Sequence, residues 1–298
     1  MSSAVTNIAT PKAASGFRIT NIRPLSEATF EVELCSTADA VLDYRAGQYL
    51  RMEVDVNGDG RRQSLSYSIA NSFDPSAPRR LQLFIHKQNA FAGRVLEHLS
   101  NLSNSDTDLM VTLPMGKAFL QTDLNLPHLL VAAGSGISKI KCLTEQILKQ
   151  QPDTKVSIYW SNRCAADFYL LERFHSWADQ HRRVGFTPLL ESEEAHWRGR
   201  TGYLYEVIEQ DISDLSDTRA YLCGSPQMVY GTIDKLQARA LQEAHCYSDV
   251  FEYAPRKQAL AGSPLHPLLI KTVHRQCNSH YTLALSDGGT SQAIYRKT

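Results

Sequence analysis

The chain has 298 residues, enough for two cored domains. Its 31 Lys and Arg balance 31 Asp and Glu, which argues against a nucleic-acid binder, and no apolar run reaches membrane-spanning length. Six scattered cysteines (35, 142, 164, 223, 246 and 277) have no Cys-x-x-Cys spacing. They fit a reducing cytoplasm better than a disulfide framework, and no iron–sulfur or metal motif is present.

Residues 1–15 are polar and rich in Ala and Ser, and read as a flexible lead-in without the pattern of a secretory signal. From 16 to 120, short segments alternate apolar and polar residues: 17–22, 29–34, 48–54, 64–69, 81–86 and 108–113. Period two with turn residues between, such as Asn57-Gly-Asp-Gly60, predicts six strands of an antiparallel barrel or sandwich. A helical patch over 93–99 interrupts them.

From 127 to 254 strands alternate with helices, which predicts a doubly wound parallel sheet. The apolar run 129–133 is a strand buried on both faces, followed by Gly134-Ser135-Gly136 and a helix carrying Ile140, Leu143 and Ile147. Strand, glycine turn and helix form a natural phosphate cradle, although an ordinary tight turn has the same sequence. Further strands are expected at 155–160, 185–190, 219–223 and 247–253, with helices over 165–180, 204–208 and 229–240. Residues 255–298 form an extension holding stretches at 268–273 and 280–285 and a turn at 287–289. Whether it is a packed hairpin or a loose tail stays open. The histidines show no metal spacing.

Three motifs in order resemble the ferredoxin–NADP reductase superfamily: Leu65-Ser-Tyr-Ser-Ile-Ala-Asn71, Ala133-Gly-Ser-Gly-Ile137 and Tyr221-Leu-Cys-Gly-Ser-Pro-Gln-Met228. Residues 113–120, 158–163 and 197–202 are similar to segments of bacterial NAD(P)H–flavin reductases within it. The resemblance implies a six-stranded Greek-key barrel for flavin (FAD or FMN) and an α/β domain for NAD(P)H.

It also implies site residues. Tyr67 and Ile69 would flank Ser68, whose hydroxyl would meet the flavin nitrogen that accepts hydride. Gly93 would lie at the flavin phosphates, and Gly134, Ser135 and Gly136 at the dinucleotide phosphates. Arg163 would stand near a 2′-phosphate. Cys223, Gly224 and Met228 would border the nicotinamide, with Cys223 otherwise a small buried thiol. Phe251 and Tyr253 fall where the family sets an aromatic against the flavin, or belong to a last core strand.

Two positions depart from the family. Its phosphate-binding Arg falls on Leu65 and its Ser on Leu96, while Arg61 and Arg62 lie nearby but out of register. The expected activity is hydride transfer from NAD(P)H to a flavin. A reductase feeding a ferredoxin, oxygenase or monooxygenase partner, or a non-catalytic regulatory member, are the alternatives.

Overall fold

A computed structural model of the protein describes residues 13–121 and 123–256. The stretches expected at 268–273 and 280–285, the turn at 287–289, Cys277 and most of the lead-in lie outside the described residues.

The first six strands are β1 (Ser15–Pro24), β2 (Thr29–Ser36), β3 (Tyr49–Val54), β4 (Gln63–Ser68), β5 (Arg80–His86) and β6 (Leu109–Met115). They form one antiparallel sheet in the order β4-β3-β6-β1-β2-β5. Just past β4, the Ala70 N–H donates to the Gln82 carbonyl of β5 at 2.7 Å, which brings the two ends of the strand order together. The alternating residues Val32, Leu34, Leu50, Met52, Leu81, Leu83 and Val111 fill the barrel. Helix α1 (Ala90–Ser103) plugs one end with Val95, Leu96 and Leu99, and the Asn89 side chain caps it by accepting from the Ala92 N–H at 2.9 Å.

The second sheet is all parallel. Its strands are β7 (His128–Ala133), β8 (Val156–Asn162), β9 (Val184–Leu190), β10 (Arg200–Thr201), β11 (Arg219–Cys223) and β12 (Cys246–Tyr247), in the order β10-β9-β8-β7-β11-β12. Helices α2 (Ile137–Gln150) and α3 (Leu171–Gln180) bury one face. Helices α4 (Leu204–Asp211) and α5 (Pro226–Leu236) bury the other. Strand β7 serves both: Leu130 and Ala132 join Ile140 and Phe174, whereas Leu129 and Val131 join Val207 and Ile233. That double burial explains the unbroken apolar run.

Two expected elements change. The helix over 165–180 is a short 3-10 turn (Ala165–Asp167) and then α3. Phe168 and Tyr169 leave helical geometry to pack edge-on against Trp160, with ring centroids at 4.9 and 5.5 Å. The strand over 247–253 is only the two-residue β12, followed by the single-turn helix α6 (Val250–Tyr253).

Helix α2 also seats the α/β layer on the barrel. The buried Lys141 Nζ donates to the Ala70 carbonyl at 2.9 Å and to Gln82 Oε1 at 2.8 Å, and Glu145 Oε2 accepts from the Ser72 N–H at 3.0 Å. These contacts set the end of β4 opposite the carboxyl edge of the parallel sheet.

Candidate functional site

The sheet order reverses between β7 and β11, because the chain moves outward through β8 and β9 and then returns to the other side of β7. Such a switch point leaves a crevice at the strands' carboxyl ends. The first wall is Gly134-Ser135-Gly136, a 3-10 turn running into α2. Gly134 has φ +55°, which a glycine adopts without penalty. The Trp160 indole N–H donates to the Gly134 carbonyl at 2.9 Å, and the Ser138 hydroxyl to the Ser135 carbonyl at 2.7 Å. Two carbonyls of the turn are thus engaged, and the Ile137 N–H at the start of α2 bonds back to the turn, which fixes it against the helix. Gly136 is needed for a different reason, since a Cβ there would overlap the Cys223 carbonyl oxygen. The two strand ends touch through backbone alone.

The second wall is Cys223-Gly224, followed by Ser225, which caps α5 by accepting from the Met228 N–H at 3.2 Å. A Cβ on Gly224 would crowd the Met228 side chain and reach Ala133 Cβ at 3.2 Å. Burial pushes the Cys223 thiol up to about 11, so it stays protonated near neutrality.

The barrel supplies the third wall. Ser66, Tyr67 and Ser68 at the end of β4 face Cys223 and Gly224 across a cavity of about 340 Å³, closed by Tyr49, Ser248, Asp249, Val250 and Tyr253. A second cavity of about 440 Å³ continues from the same three residues past His86 and Ala92 to Ser135 and Gly136. Alternation along a strand sets Tyr67 and Ser68 on opposite faces, yet both border the crevice, because it wraps round the end of β4. Burial pushes the Tyr67 phenol up to about 12, so it presents a neutral ring.

Tyr67, Ser68, Ser135, Gly136, Cys223 and Gly224 therefore meet at one crevice. Gly134, Arg163 and Met228 border an adjoining cavity of about 390 Å³, where the Arg163 side chain is 89% exposed and 3.9 Å from Glu191. Three expected residues are elsewhere. Ile69 turns into the barrel core, and its N–H donates to the Gln48 carbonyl at 3.1 Å. Gly93 borders neither of the two central cavities; α1 contributes Phe91 and Ala92 instead. Phe251 stacks on Tyr230 with ring centroids at 5.7 Å, away from Ser68, and Tyr253 takes the crevice position. Neighbours two apart share a face in a strand but lie about 200° apart on a helix, so the change from strand to α6 separates the two aromatics.

Residues 130–234 match the sequence profile of an oxidoreductase NAD-binding domain. The chain is 25% identical over 238 residues to an NAD(P)H-flavin reductase of Aliivibrio fischeri, covering 79% of this chain and 98% of that one. It is 29% identical over 214 residues to a CDP-6-deoxy-L-threo-D-glycero-4-hexulose-3-dehydrase reductase of Yersinia pestis, 71% of this chain but 61% of that longer protein. Among solved structures, the fold matches a cytochrome P450 reductase of Amycolatopsis with TM-score 0.69 and 24% identity, over 83% of this chain and 73% of that one. By sequence and fold the chain resembles the ferredoxin–NADP reductase superfamily.

Against that superfamily's flavin motif, the departures have a structural meaning. Leu65 packs partly buried against the barrel cluster, and Leu96 is 8% exposed within it. Arg61 and Arg62 are exposed on the connection before β4 and border neither central cavity. No lysine or arginine borders those two cavities among the described residues. The crevice presents the Ser66 and Ser68 hydroxyls and aromatic edges, and neither central cavity offers a lysine or arginine.

Several residues at the site went unread in the sequence. Lys139, Asp249 and Tyr49 border or underlie the crevice, and Asn162 and Tyr169 border the adjoining cavity with Asn162 Nδ2 and the Tyr169 hydroxyl unpartnered. Only Lys139 had a local signal: a cation in the first turn of a helix opposes the helix dipole and needs a partner.

Proposed function

We propose that this chain is a flavin reductase, which oxidises NAD(P)H and takes its flavin as a visiting substrate. The observation that carries the reading is the facing of Ser68 and Cys223-Gly224 across one cavity that no lysine or arginine borders. When both ligands are bound, the nicotinamide supplies a hydride and the flavin accepts it. The protein's part is orientation. The Ser68 hydroxyl donates to the accepting edge of the ring, Tyr67 gives the ring a neutral aromatic wall, and the glycine ends of β7 and β11 let the dinucleotide approach the backbone. Cys223, protonated, contributes shape and no nucleophile. Gly134 and Ser135 meet the dinucleotide phosphates, with Arg163 and Met228 farther out. Walls without a lysine or arginine leave recognition of the flavin to its ring, so riboflavin, FMN and FAD should differ little as acceptors.

Passage through a desalting column, followed by absorbance with and without added flavin and NADH, tests this. The expected result is a colourless protein that oxidises NADH or NADPH only when flavin is supplied. Near one FAD per chain surviving the column would favour the second reading, a reductase with resident flavin that feeds a separate oxygenase, monooxygenase or ferredoxin partner. Similarity to reductases named for a P450 and for a dehydrase supports that second reading.

A further inference from the structure

The crevice has a charged floor that hydride transfer, as set out above, leaves unused. Lys139, in the first turn of α2, is 1% exposed. Burying an ammonium costs several kcal/mol unless it is paired. Its Nζ donates to Asp249 Oδ2 at 2.8 Å, bridging 110 residues of sequence. Asp249 borders the 340 Å³ cavity beside Ser68, Tyr67 and Cys223, and 19% of its side chain is exposed. Its other oxygen, Oδ1, is buried and has no protein donor. A carboxylate accepts several hydrogen bonds, and an unsatisfied buried acceptor is costly. The two charges also act in opposite senses on the Cys223 thiol, Lys139 lowering and Asp249 raising its pKa, as expected of groups beneath the same floor.

We propose that Lys139 is a positioning residue, holding the Asp249 carboxylate at the crevice so that it accepts a hydrogen bond from an N–H of the ring bound there. This rests on the flavin-reductase reading. The geometry assigns Asp249 a ligand contact and Lys139 an action through Asp249 alone. Both other carboxylate-sensitive groups facing this floor, Tyr49 and Tyr253, are phenols that burial pushes upward, so neither competes as an anion near neutrality. Glu252, the neighbouring acid, turns to the Lys117 N–H at 2.7 Å.

Four variants test the assignment in NADH oxidation with FMN: Lys139→Met, Lys139→Arg, Asp249→Asn, and the double Lys139→Met with Asp249→Asn. Asp249→Asn and Lys139→Met should each lower kcat about tenfold or more, with a smaller change in the KM for FMN. Lys139→Arg should restore most of the rate, since it keeps a charge-assisted bond to the carboxylate. The double variant leaves no unpaired charge, so its thermal midpoint should return close to that of the wild type while kcat stays as low as in Asp249→Asn. A double variant that regains the wild-type kcat would show the pair to be structural only and overturn the proposal, as would Asp249→Asn turning over at the wild-type rate. Should Lys139→Met fail to fold, those two variants still decide. A wild-type chain inactive with NADH or NADPH and every flavin would overturn the functional reading and this inference with it.

Discussion

The two sides of the crevice are built on different principles. The α/β side is made of backbone: Gly136 touches the Cys223 carbonyl and Gly134 bends at positive φ. The barrel side is made of side chains at the end of β4, with hydroxyls and an aromatic ring presented from a strand whose backbone is already paired with β3. A backbone contact such as that of Gly136 on Cys223 tolerates no added atom. One made of side chains can lose a group and keep its fold. Stability and catalysis should therefore separate across the crevice.

Gly136→Ala should break the comparison most severely. Its Cβ would displace the Cys223 backbone, which cannot swing aside, and the cost should be about 3 kcal/mol or more in unfolding free energy together with loss of NAD(P)H oxidation. Denaturant unfolding measures it; an unchanged midpoint would mean that β7 and β11 are not in contact. Ser68→Ala should do the reverse, lowering kcat roughly ten- to a thousandfold while the thermal midpoint stays put. Stopped-flow hydride transfer at wild-type speed would remove Ser68 from the reaction.

Gly134→Val sharpens the contrast within the backbone side, since nothing stands within 4 Å of a Cβ there. Strain at φ +55° should cost about 1–2 kcal/mol, and the branched side chain should raise the KM for NAD(P)H while flavin affinity holds. On the barrel side, Leu65→Arg should favour FAD over riboflavin by roughly ten- to a hundredfold, the worth of one charged hydrogen bond to phosphate. Leu96→Ser is a poor companion to it, because Leu96 belongs to the barrel core and its truncation costs packing. The smallest effect concerns Cys223. A thiol raised from 9.0 to about 11 binds its proton through the range in which an ordinary cysteine begins to lose it, so kcat should show no thiol ionisation below about pH 10. Iodoacetamide should modify Cys223 slowly at pH 8, and rapid alkylation there would contradict the assignment.

The sequence by itself determined what depends on near neighbours. Period-two alternation predicted the six barrel strands within a few residues, and the unbroken run 129–133 predicted a strand buried on both faces, because each pattern is imposed locally by the burial of one strand. The glycine turn stood out as a short contiguous segment, and the Ser68 and Cys223 motifs stood out only through their resemblance to the superfamily. Only the tertiary structure decided the rest. Phe168 leaves its helix because Trp160 offers a better partner. Phe251 and Tyr253 part company because a single helical turn replaces a strand. Lys139 finds Asp249 across 110 residues, and Leu65 and Leu96 become barrel packing where the superfamily places phosphate ligands. Such pairings depend on the placement of whole elements in space, and sequence periodicity carries no record of it.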